Sequence, residues 1–345
     1  MLHNFCHWVP PTTGENEFSF APEQLDGVIA QLQAEPLDAW RIGFSFLGFY
    51  GVSIFIFLSG FGLARRARGR AEGFGAFLKS RIAAIYPAVC LAAVGYLVYE
   101  GIRGGFAAAL REDGWLLAGQ FFLVGNFLGT GLEPIGPWWF LSVIFQLYCL
   151  FPLLDRLANR WGARALWIAG GVALAAEFFL NERVTEASGM NLNFTAVGHL
   201  PTFAFGMWAG KFGTLPRRVA ALLPAVGLVI FLLGQALEVA WLLSGAAFAA
   251  FAVPLAQAVR LPAMAQRFLL IAGALSLPLF LGNGFLRNPL VWYAQQRAGS
   301  DGAWLTTIGF SLLFVAVCFV WAWGADRLER LARAKRSPSG GIENS

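Results

Sequence analysis

Residues 42–64 read IGFSFLGFYGVSIFIFLSGFGLA, a run without a charged side chain that is followed at once by Arg65, Arg66, Arg68 and Arg70. Folded as a helix at about 1.5 Å per residue, such a run covers the roughly 30 Å hydrocarbon core of a bilayer. The basic cluster that ends it is the mark of a segment held on the cytoplasmic side. The reading of the fold starts from this pair of features: a helix that crosses a membrane and keeps its C-terminal end inside.

The pattern recurs outward along the chain. Charge-free stretches run over 82–99, 115–132, 134–154, 187–210, 219–237, 239–259, 268–286 and 302–325. The stretch 165–180 joins them if Glu177 lies near one end. Only 13% of the residues are charged and 57% are hydrophobic, about half the charge of a soluble domain. That balance excludes a soluble enzyme, a disordered chain and a disulfide scaffold. Cys6, Cys90, Cys149 and Cys318 show neither metal spacing nor a pairing pattern. The net charge of +5 sits in loops beside apolar runs, which is membrane topology rather than a nucleic-acid surface.

The sequence therefore predicts an all-α, polytopic transmembrane helix bundle of about nine or ten spans plus one re-entrant or interfacial segment. No internal repeat divides it, so 1–326 reads as one membrane domain and 327–345 as a cytoplasmic C-terminal tail. If every stretch crossed, the basic loops 155–164, 211–218 and 260–267 would fall outside. Letting 115–132 dip in and return, or lie at the interface, restores them to the cytoplasm. The expected location is a bacterial cytoplasmic (inner) membrane, with the C-terminus inside.

Residues 1–9 (MLHNFCHWV) are too short to span and lack the basic start of a signal peptide. They read as the outer end of a helix whose first two-thirds are missing, through a start codon assigned too late or a genuine truncation. Glu15, Glu17, Glu23, Asp26, Glu35 and Asp38 follow and suit the outer face.

Ionisable groups in such a chain are candidates for function. The three histidines are His3, His7 and His199. His3 and His7 stand one helical turn apart on one face, where a neutral imidazole suits general-base work. The competing reading makes them interfacial anchors beside Trp8. As a metal pair they lack a third ligand. His199, before Pro201, reads as satisfying a backbone carbonyl at a helix start. Arg81 and Tyr86 open the 82–99 stretch at its cytoplasmic end, where an arginine holds phosphate or simply anchors topology. Trp138 and Trp139 suit an aromatic platform for a sugar or acyl chain, or an interfacial belt. Gln146 and Asn283 are mid-span polar residues, for substrate or for helix–helix contact. Glu177 and Glu238 fall near outer ends and read as solvated. Residue types and spacing supply groups but no reaction.

Five stretches in order carry more. Residues 50–65 read YGVSIFIFLSGFGLAR, 79–87 KSRIAAIYP, 139–152 WFLSVIFQLYCLFP, 199–212 HLPTFAFGMWAGKF and 273–286 GALSLPLFLGNGFL. Together the chain resembles the acyltransferase 3 family of integral membrane acyltransferases over nearly its whole length. The resemblance implies transfer of an acyl group, often acetyl, from acyl-CoA to a hydroxyl of a carbohydrate or glycolipid acceptor at or beyond the outer face. Acyl-CoA would be a donor substrate rather than a bound cofactor, the bilayer a partner, and nucleic acid none.

His3 matches the family's first-helix histidine and becomes the general base, with Glu15 or Glu17 fixing its tautomer. Arg81 and Tyr86 would hold the phosphates of coenzyme A. His7, Trp138, Trp139, Gln146 and Asn283 would contact substrate. The chain departs from the family where Ile144 and Phe145 replace glutamates and Asn283 replaces a late histidine. The family's first-helix arginine would lie upstream of Met1. Two other readings stay open on the sequence: an exporter of a saccharide or other polar metabolite, and a catalytically silent relative.

Overall fold

The computed structural model describes residues 1–10, 16–67, 73–128, 134–297 and 302–336. Among these the chain is helical and carries no strand. A short α1 (Leu2–Cys6) and an irregular segment over 16–22 precede α2 (Glu23–Ala34), α3 (Ala39–Leu47) and α4 (Tyr50–Arg66). Then come α5 (Phe74–Gly104), α6 (Phe106–Phe121), α7 (Trp139–Trp161), α8 (Ala163–Ser188), α9 (Ala196–Phe212) and α10 (Arg217–Leu233). One turn, α11 (Glu238–Trp241), leads to α12 (Ser244–Ala258), α13 (Ala263–Ala274), α14 (Ser276–Gln295) and α15 (Ala303–Arg336).

The span count differs from the nine or ten expected. Among the described residues four helical segments are long and apolar enough to cross a membrane, and six if two bent pairs each count once. The four are Phe74–Gly104, Gly136–Trp161, Ala163–Ser188 and Ala303–Ala332. The bent pairs are α3 with α4, at 47°, and α13 with α14, at 76°. Hydropathy registers charge-free length, whereas a span also needs an unbroken helix. α9 and α10 have 17 residues each, a rise of roughly 25 Å against the about 30 Å of the hydrocarbon core. The 115–132 stretch is no span either. α6 begins earlier, carries Arg111, Glu112 and Asp113, and stops at Phe121, with Leu123 in a positive-φ turn (φ 61°) behind it.

The expected span 187–210 is also broken. α8 runs on to Ser188 and is ended by Gly189 in the left-handed conformation, a terminus that glycine adopts without steric cost. A single 3-10 turn, Leu192–Phe194, follows. Thr195 then caps α9 by accepting from the Val197 N–H. This break sets Asn191 and Asn193 at the end of the bundle where the candidate site lies. α15 continues through Asp326 to Arg336, and the tail from Ser337 lies outside the described residues.

Glycines let the central helices touch. A β-carbon on Gly60 of α4 would lie 2.3 Å from the Phe203 carbonyl oxygen of α9. On Gly206 and Gly210 it would lie 2.1 and 2.4 Å from the carbonyls of Phe57 and Phe61. Gly206 and Gly210 are one turn apart, the small-xxx-small spacing by which membrane helices gain van der Waals contact where lipid supplies no hydrophobic drive. Around this seam Ile56, Leu63, Val143, Leu147, Phe203 and Met207 are buried together. Lys211 at the end of α9 pairs with Asp155 of α7, so α7 and α9 run parallel. The outer surface is apolar instead of charged: Val172, Leu222, Leu312 and Val320 are 62–71% exposed, as befits side chains meeting lipid.

Candidate active site

α1 is wedged into the bundle although it is one turn long. Phe5 is fully buried and stacks on Phe314 of α15, ring centroids 5.5 Å apart. The Asn4 amide donates to Asn283 Oδ1 of α14, and Arg287, one turn further along α14, donates to the Asn4 carbonyl at 3.1 Å. Arg41 of α3, 1% exposed and paired with Asp38, donates to the Val9 carbonyl at 2.8 Å. Asn283 thus meets the helix that carries His3.

His3 itself lies against the end of α3. Its Nδ1–H is shared between the carbonyls of Phe44 and Ser45, at 3.1 and 3.0 Å. These belong to the last turn of α3, where the Phe44 carbonyl also accepts from the Gly48 N–H at 3.1 Å. Donation from Nδ1 makes Nε2 the accepting nitrogen of the neutral ring. Two main-chain carbonyls thus engage the ring at Nδ1. Glu15 lies outside the described residues. His7 stands 5.5 Å from His3, ring to ring, with Trp8 perpendicular to it at 6.1 Å.

Phe49, edge-on to His3 at 6.0 Å, also lines a cavity of about 50 Å³. Glu17, Trp139, Glu177, Asn193 and His199 face this cavity. Glu177 is therefore not solvated as expected: it is 4% exposed and hydrogen-bonded to Asn193. His199 does bond a backbone, that of Asn193, while its ring lies over Trp139 at 5.3 Å. Sequence reading missed Asn16, Asn193 and the inward direction of Glu177. The available signal was an ionisable residue within an apolar stretch. Glu238 is exposed, as expected.

The irregular segment over 16–22 covers this cavity and is tied down from three sides. Asn191 and Asn193 both donate to the Phe18 carbonyl, at 2.9 and 3.1 Å. Phe18 stacks on Phe194 at 4.0 Å, and the Trp241 indole donates to the Asn16 carbonyl at 2.6 Å. Tyr50 closes the far wall, donating to Ser244 Oγ at 3.1 Å and accepting from Gln235 at 3.0 Å.

The remaining candidates divide. Trp138 is wholly buried and its indole donates to the Leu281 carbonyl at 3.0 Å; its faces are covered, so an aromatic wall here belongs to Trp139. Gln146 Oε1 accepts from the Ala196 N–H at 2.8 Å and so holds the start of α9. Arg81 and Tyr86 lie in the first half of α5. The Tyr86 hydroxyl donates to the Phe121 carbonyl at 2.8 Å, and the Arg81 guanidinium lies 5.5 Å over the Phe77 ring.

A wider cleft of about 710 Å³ opens beside α1, between Trp8, Tyr99, Arg103, Arg287, Trp292 and Tyr293. No group of three or more His, Cys, Asp or Glu among the described residues is arranged to hold a metal.

The sequence comparisons bear on what this arrangement is for. The chain matches a Streptomyces mycarofaciens protein, "Acyltransferase MdmB", at 34% identity over 135 residues. That alignment takes in 37% of this chain and 34% of the relative, so the chain spans about a third of the length of the relative it matches. No solved structure matches. The family model described as an acyltransferase domain matches residues 5–325, and with nearly all of its helical bundle inside that match the chain belongs to the acyltransferase 3 family.

Proposed function

We propose that this membrane acyltransferase moves an acyl group, acetyl in the first instance, from acyl-CoA to a hydroxyl of a cell-surface or exported carbohydrate. The protein would lie in a bacterial cytoplasmic membrane with its C-terminus inside. Arg81 and Tyr86 would then face the cytoplasm, and His3 and the Glu177 cavity the outside. What supports the reading beyond family membership is the setting of His3: its Nδ1 is engaged by the Phe44 and Ser45 carbonyls, which directs proton acceptance to Nε2.

In this reading Nε2 takes the proton of the acceptor hydroxyl as its oxygen attacks the thioester carbonyl carbon. The tetrahedral intermediate collapses, the C–S bond breaks, and the leaving thiolate receives the proton from the imidazolium. The two carbonyls at Nδ1 face the positive charge that the ring carries between these steps. Arg81 would take the phosphates of coenzyme A through its planar fork of donors, with Tyr86 beside it. Glu17 and Trp139 line the cavity next to His3 and would meet the acceptor.

The test is transfer of label from radiolabelled acetyl-CoA to the glycan pool of membranes that contain the wild-type protein or His3→Ala. Label in glycan that disappears with His3→Ala, at equal membrane insertion, supports the assignment. Equal transfer by both proteins removes His3 from the mechanism. No transfer by either, with longer acyl-CoAs also tried, favours the exporter reading.

A further inference from the structure

Three buried polar atoms converge on the cavity beneath the 16–22 segment. Asn16 Nδ2, Glu177 Oε2 and His199 Nε2 have no hydrogen-bond partner among the described residues, and all three residues line that one space. Native proteins leave few buried polar groups unmet, and each exception calls for a cause. Three that share one cavity would be met together by a single bound molecule.

The other ends of these side chains are fastened. Asn16 Oδ1 accepts from the Ala21 N–H at 2.9 Å. Glu177 is held by the Asn193 side chain, and His199 by the Asn193 backbone and the Trp139 ring. The groups are thus set before a ligand arrives, the condition for selective binding.

Their chemistry names the ligand. Asn16 Nδ2 offers a donor, and Glu177 Oε2 and His199 Nε2 offer acceptors. A hydroxyl both donates and accepts, so two neighbouring hydroxyls satisfy all three atoms. Trp139 supplies an aromatic wall for the C–H face of a sugar ring. The lining contains no lysine or arginine, so nothing in it is suited to hold an anion. A cavity of about 50 Å³ takes the hydroxyl-bearing edge of a ring and leaves the rest outside. Phe49 both lines the cavity and touches the His3 ring.

We propose that Asn16, Glu177 and His199 form a docking site for adjacent hydroxyls of an uncharged saccharide, the acceptor end of the substrate. The inference deepens the acyl-transfer reading and rests on it for the word acceptor. His199 and Glu177 are positioning residues in it, while His3 does the proton chemistry.

The experiment is saturation-transfer NMR on the full chain in lipid nanodiscs, with methyl glucopyranoside and methyl rhamnopyranoside as probes and methyl glucuronide as the anionic comparison. The neutral glycosides should bind wild type and Gly62→Leu, a substitution into open space on α4, alike. Binding should weaken at least tenfold in His199→Phe, which keeps the ring stack, and in Asn16→Ala, which alters only the covering segment. Equal binding by all variants, absence of neutral glycoside binding to wild type, or preference for the glucuronide overturns the proposal. The two readings fail separately. Variant-sensitive glycoside binding without acyl transfer keeps the site and sinks the transferase, whereas His3-dependent acyl transfer with variant-insensitive binding sinks the site alone.

Discussion

Gly48 lies directly beneath His3: a β-carbon on Gly48 would come within 2.5 Å of the histidine's own. Gly48 is also the residue at which α3 gives way to α4, so the kink and the seat of the histidine are one feature. Any side chain there must push α1 off the end of α3 and pull Nδ1 from the Phe44 and Ser45 carbonyls. Gly48→Ala should therefore insert normally yet lose acyl transfer by about a hundredfold, the scale on which catalytic groups displaced by about 1 Å fail. Label transfer from acetyl-CoA, normalised to inserted protein, checks it; activity within twofold of wild type would show that α1 has slack to move.

The buried pair Asp38–Arg41 is the second fastening of α1. Arg41 reaches the Val9 carbonyl from a side chain that is 1% exposed. Removing one partner strands a charge, a loss of about 3–5 kcal/mol for buried pairs. Arg41→Met should lower the thermal midpoint of the detergent-solubilised protein steeply. Asp38→Leu combined with Arg41→Met should recover part of that loss, since an apolar pair leaves no charge stranded. A double variant no more stable than Arg41→Met would mean that Arg41 matters for its Val9 contact alone.

These two cases mark how far sequence alone reached. His3, Trp139 and Arg81 stand out in the sequence as candidates because each sits in a motif or at an end of an apolar run. Arg41 does not, because it abuts the charge-free stretch and reads as its solvated edge. Glu177, Asn193 and His199 were hidden by a boundary. The residues 187–210 look continuous by hydropathy, yet Gly189 at φ 71° ends one helix and Thr195 starts the next. That local backbone chemistry turns Asn193 toward Glu177. The count of candidate spans among the described residues falls short of nine or ten for the same reason, since uncharged length does not reveal where a helix bends.

The α4–α9 seam should be the least tolerant part of the bundle. Gly206 meets the Phe57 carbonyl, a backbone atom that cannot rotate away. Gly206→Leu forces the helices apart along a line that Gly210 and Gly60 also use. The expected loss is at least the roughly 3 kcal/mol at the upper end of ordinary overpacking, seen as a fall in thermal midpoint and in folded yield. Gly62→Leu on α4, where a β-carbon meets nothing within 4 Å, is the matched control and should be close to neutral.

Arg81 separates two uses of positive charge. As a topological anchor it needs only to be cationic, and lysine serves as well. As a phosphate ligand it needs the planar guanidinium, whose paired donors lysine lacks. Its placement over the Phe77 ring fixes the plane of that fork and would do little for a flexible ammonium. Arg81→Lys should therefore insert with unchanged orientation, raise KM for acetyl-CoA about tenfold, and leave kcat at saturating donor within about twofold. Arg81→Ala should raise KM further by the same measure. If Arg81→Lys matches wild type in KM while Arg81→Ala alters orientation, the residue serves topology and the coenzyme's phosphates are held elsewhere.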